Sequence, residues 1–206
     1  MNAMLPLLLA AALNGAAPQR LPDPPPLPPL TDDTLPSTTI EDAGLRLNAQ
    51  FGFDAGKRLL RLRYLLHNGS RQPVALFDRG NSLAVAQGRL KAGSAATPTT
   101  EPGKDGLVLH HRIVPLRKPA PTVPPIPLAA RVAPGAELGG DVLIEVGDAT
   151  HLRYCLGVAP FEPTLFSSRQ SIDGVELWRA SFDAVGRQKT LCTPWFDTAR
   201  LDFESQ

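Results

Sequence analysis

Leu45-Arg46-Leu47-Asn48-Ala49-Gln50-Phe51-Gly52-Phe53 alternates apolar and polar residues without a break. After the turn residues Asp54-Ala55-Gly56 the pattern returns in Leu60-Arg61-Leu62-Arg63-Tyr64-Leu65-Leu66. A period of two marks a strand with one buried and one wet face. It puts Leu60, Leu62, Tyr64 and Leu66 on one side. Gly56 is the expected left-handed residue of the joining turn. Asn68-Gly69 ends the second run as another turn; with Ser70 it also spells a glycosylation sequon, read here as turn chemistry.

Outward from this hairpin, short apolar runs predict strands over 74–77, 83–87, 107–114, 142–146, 152–158, 175–182 and 188–193. Val175, Trp178 and Phe182 are also spaced as one face of a short helix. Beside them, Asp183-Ala184-Val185-Gly186 looks like a hairpin turn and favours the strand. The sum is an all-β chain: an antiparallel β-sandwich, Ig-like in general architecture, with about nine strands and little helix. It is not a true Ig domain. Cys155, Trp178 and Cys192 come in the expected order, but the cysteines lie too close together and the tryptophan too near the second.

Proline punctuates the chain, with 22 among 206 residues. Residues 18–38 form a proline-rich spacer, since proline fixes φ and removes a backbone donor. A second proline-rich stretch, 115–134, cannot lie inside a sheet and is expected to cross between the two sheets of one sandwich spanning 39–206. Before the spacer, Leu5 to Leu13 is an apolar run followed by Asn14-Gly15-Ala16-Ala17, which has the form of a signal peptide over 1–17. Cleavage would leave no stable membrane insertion. An even cysteine count in an exported chain predicts a Cys155–Cys192 disulfide, and the compartment is the bacterial periplasm or the extracellular space.

With 21 Lys and Arg against 20 Asp and Glu, the net charge of +1 supplies no field for nucleic acid. No GxSxG elbow, HExxH, P-loop or GxGxxG occurs, so no catalytic residue, metal site or cofactor is assigned. His110 and His111 are adjacent on a predicted strand and point to opposite faces; His110 and Arg112 share one. The polar cluster Asp78, Arg79 and Asn81, with Gly80 as its permissive residue, reads as an exposed turn. Asp78, Arg79, Asn81, His110 and Arg112 are the candidate binding residues.

The expected function is a noncatalytic accessory module that binds a protein or polymer. The alternatives are an extracellular hydrolase whose site forms only in the fold, and a protease inhibitor presenting segment 88–105 or 115–134. A concave pocket joining His110 or His151 to a carboxylate would favour the hydrolase.

Overall fold

In the computed structural model, which describes residues 35–205, the alternating stretches form strands β2 (Leu45–Asp54) and β3 (Leu59–Asn68), paired antiparallel from Leu45 opposite Asn68 to Asp54 opposite Leu59. Leu60, Leu62, Tyr64 and Leu66 are all buried, as the period requires. β1 (Ser37–Asp42) pairs with β2, and β8 (Glu137–Glu145) pairs with β3. They complete a four-stranded antiparallel sheet in the order β1-β2-β3-β8. β1 begins two residues inside the stretch assigned to the spacer; the leader and residues 18–34 lie outside the described residues.

The second sheet is built around the ten-residue strand β9 (His151–Pro160). Along one edge of β9 run β6 (Leu107–His111) and then β4 (Val74–Leu76); along the other run β13 (Phe196–Asp197) and β12 (Lys189–Cys192). β7 (Leu128–Val132), β11 (Val175–Ala180) and β10 (Phe166–Ile172) extend the sheet beyond β4. β5 (Thr99–Pro102) pairs with β6, and β14 (Asp202–Phe203) with β13. The fold is thus an all-β sandwich. One pairing, β6 with β9, is parallel, so the second sheet is mixed.

The main core lies between the sheets. Leu47, Phe51, Leu62 and Leu66 of the first sheet share one apolar cluster with Leu109, Leu152, Leu156 and Phe196 of the second. Residues alternating with those of the second sheet, such as Ala75, Ala129 and Ala159, form a smaller cluster on its other face with Phe77, Ile113 and Phe166. Both faces of this sheet are therefore covered, which explains why β4 and β9 read as nearly unbroken apolar runs.

The Cys155–Cys192 disulfide is present and joins facing residues of β9 and β12 within one sheet. Several local expectations are corrected. Stretch 83–87 is not a strand but the short helix α1 (Ser82–Ala86), because Asn81 is extended and its side chain accepts from the Ala84 N–H at 2.9 Å. The expected hairpin at 183–186 is a 3₁₀ helix, Phe182–Gly186, capped when the Ser181 hydroxyl accepts from Asp183 N. After β2, Asp54 Oδ1 accepts from Lys57 N, and the left-handed residue is Arg58 (φ 55°) instead of Gly56. The second proline-rich stretch, expected to stay out of a sheet and to cross between the two, does neither: after its last clustered proline, Pro127, it forms β7 itself, between β4 and β11, and its earlier part joins β6 to β7 of the same sheet.

Candidate functional site

β4 and β6 lie in succession along one edge of β9, and the chain leaving β4 turns inward where they separate. Gly80 makes the bend at φ 66°, where a Cβ would also come within 2.6 Å of Leu90. The bend carries Asp78 and Arg79 into the interior, with 0% and 2% of their surface exposed. This corrects the exposed turn expected from sequence.

Burying a carboxylate and a guanidinium is costly unless both are paired. Here Arg79 Nη1 donates to Asp78 Oδ2 at 2.8 Å, and Tyr64 Oη of β3 donates to the same oxygen at 2.6 Å. Arg79 Nη2 donates across the sandwich to the Gly139 carbonyl of β8 at 3.0 Å. The next residue, Gly140, faces Tyr64, and a Cβ on it would lie 2.6 Å from the tyrosine oxygen, so the glycine makes room for the hydroxyl. Asp78 Oδ1 and Arg79 Nε lack partners among the described residues. The bonds named therefore supply the compensation.

His111 of β6 points into the same region, opposite to His110. Its Nδ1 lies 2.8 Å from Tyr154 Oη and its Nε2 lies 2.7 Å from the Ala96 carbonyl. A carbonyl only accepts, so Nε2 carries the proton and Nδ1 accepts from the tyrosine. The rings of Tyr64, Tyr154 and His111 contact one another with centroids 5.2–5.6 Å apart. Burial, then the Asp78 charge, raises both tyrosines well above the ordinary phenol range, which keeps them protonated as donors. Burial lowers His111 and favours its neutral form, against the opposing pull of Asp78.

On the other face of β6, His110 and Arg112 flank Glu101 of β5, confirming their shared face. Arg112 Nη2 donates to both Glu101 oxygens at 2.7 and 2.8 Å, and His110 Nε2 lies 3.5 Å from Glu101 Oε2. Burial, then the Arg112 charge, lowers His110. His110, Arg112 and Asn81 line a cleft of about 650 Å³ between the segment following α1 and the proline-rich connection. Phe77, Leu90, Ile113 and Leu116 give it an apolar lining, and five prolines, including Pro115 and Pro119, contribute to its wall. Arg89 and Arg117 also line it and are exposed. Three of the five sequence-selected residues thus meet at one cleft, while Asp78 and Arg79 belong to the buried network.

Sequence reasoning missed Tyr64, Tyr154, His111, Ala96 and Gly139 as members of that network. Tyr64 was visible only as an inward position of an alternating strand, and Tyr154 only as part of the apolar run 152–158. Among the described residues, no group of three or more His, Cys, Asp or Glu is arranged to hold a metal ion. His151 meets Glu204 at 3.4 Å, but neither residue lines the cleft. In comparisons with known proteins, no family model, curated protein or solved structure matches this chain.

Chemically, the buried network can hold the sheets in register: Asp78 Oδ2 and both His111 ring nitrogens are engaged, and Asp78 Oδ1 is sealed from solvent. The cleft can exclude water from an apolar group and present guanidinium donors to an anion.

Proposed function

We propose that the protein is an exported, noncatalytic binding module whose seat is the cleft beside β6. The observation carrying this reading is a division of labour. Asp78 is fully buried and shares its Oδ2 between Tyr64 and Arg79, and both ring nitrogens of His111 are hydrogen-bonded, whereas Asn81, His110 and Arg112 meet at a cleft walled by loops, which His111 also borders. The disulfide fits an oxidising compartment, periplasmic or extracellular. Among the described residues no helix is long and apolar enough to cross a membrane.

A hydrolase is the second reading, favoured by the His110–Glu101 pair beside the cleft. Against it, Glu101 is held on both oxygens by Arg112, and among the described residues no hydroxyl is hydrogen-bonded to a His110 ring nitrogen. A broad hydrolase and peptidase panel separates the two. The binding module gives no turnover; turnover that survives repurification and disappears in His110→Ala establishes the hydrolase.

A further inference from the structure

We infer that the occupant of the cleft is a free amphipathic carboxylate: an apolar chain or ring ending in one carboxylate. The inference rests on the cleft being the binding seat, and it commits to an occupant smaller than the protein or polymer expected from sequence. The cleft's charge is one-sided. Arg89, Arg112, Arg117, His110 and His111 line it, and no Asp or Glu does. Glu101 occupies Arg112 from outside the lining, whereas Arg89 and Arg117 have no carboxylate partner among the described residues. Guanidinium groups suit carboxylates because their donors match both oxygens.

The wall argues for a small molecule over an extended peptide. Proline has no N–H, so the five prolines cannot donate to a peptide laid along them as a strand would be. The apolar body would instead rest on Phe77, Leu90, Ile113 and Leu116. A volume of about 650 Å³ falls within the range of sites that enclose drug-sized ligands.

Calorimetric titration of the purified protein with decanoate, decanamide and decylammonium tests this. The inference predicts decanoate binding at least tenfold tighter than decanamide and tighter still than decylammonium. In Arg89→Ala/Arg117→Ala, decanoate affinity should fall to that of decanamide and decanamide affinity should be unchanged; both arginines are exposed, so the thermal midpoint should hold. Equal affinity for decanoate and decanamide overturns the carboxylate assignment while leaving the cleft as a binding seat. Binding of none of the three overturns the assignment as well, and the cleft reading falls with it if neutral fragments also fail to move the cleft's amide resonances.

Discussion

Tyr64 of the first sheet donates its hydroxyl at 2.6 Å to Asp78, in the bend that follows β4 of the second, and Asp78 in turn holds Arg79, which reaches back to Gly139 of the first sheet. The polar chain closes a loop across a mainly apolar core. Its members are spread from β3 to β8, so it ties together segments remote in sequence. Such a network stabilises only while every strong partner is in place.

Tyr64→Phe removes one of the two donors to Asp78 Oδ2 without changing the ring. The expected loss is about 1–3 kcal/mol, the cost of under-satisfying a buried charged acceptor. Urea unfolding should show a lower midpoint at an unchanged slope. No change in midpoint would mean that Arg79 alone suffices.

Arg79→Ala should be far more damaging, because it strands a carboxylate with no surface exposed. Breaking a buried pair from one side costs about 3–5 kcal/mol. Asp78→Leu/Arg79→Met, which removes both charges, should be more stable than Arg79→Ala alone, and a denaturant-based mutant cycle reads the difference. Equal stability of Arg79→Ala and wild type would show that the pair is not buried in solution.

The strands that alternate, β2 and β3, were legible because one face meets the core and the other meets water. Among the strands that were not, β5 and β10 escape for the same physical reason. β5 is exposed throughout and most of β10 is exposed, so Thr99-Thr100-Glu101 and Ser167-Ser168-Arg169-Gln170 carry no apolar period. The polarity of Asp78-Arg79 looked like a surface turn because its burial depends on partners 14 and 60 residues away, Tyr64 and Gly139. By contrast, the opposite facing of His110 and His111 follows from strand geometry alone. It sends His111 to Tyr154 and His110 to Glu101, although both residues border the cleft.

Removing the disulfide by Cys155→Ala/Cys192→Ala should cost about 3–4 kcal/mol on the chain-entropy account, for a span of 37 residues. Thiol titration of the unfolded, unreduced protein should find none. Two titrating thiols would contradict the pairing.

Stability should fall on mild acidification. Burial first of all lowers His111 below its ordinary value of 6.5, and it lowers His110 in the same direction. As pH falls through 6.5 the unfolded chain takes up protons that the folded one resists. Stability is then full above 6.5 and declines below it, by at most about 1.4 kcal/mol per pH unit from His111. Asp54 and Asp197, whose carboxyls are held below 3.8 chiefly by backbone N–H groups, act only in a separate and more acidic window. Urea midpoints from pH 7.5 to 5 should slope downward, and His111→Gln should flatten the slope. A flat wild-type profile would contradict a buried neutral His111.

The central claim is that the cleft beside β6 is where this protein binds. Titrating the ¹⁵N-labelled protein with a library of small neutral apolar fragments tests it residue by residue. The account predicts amide shifts concentrated in 89–97 and 110–118, the segments bordering the cleft, with the opposite sheet unmoved. A second hollow of about 520 Å³, lined by Leu83, Val123, Ile126 and Trp178, is the built-in control. Shifts confined to that hollow, or spread without focus over the surface, would contradict the assignment.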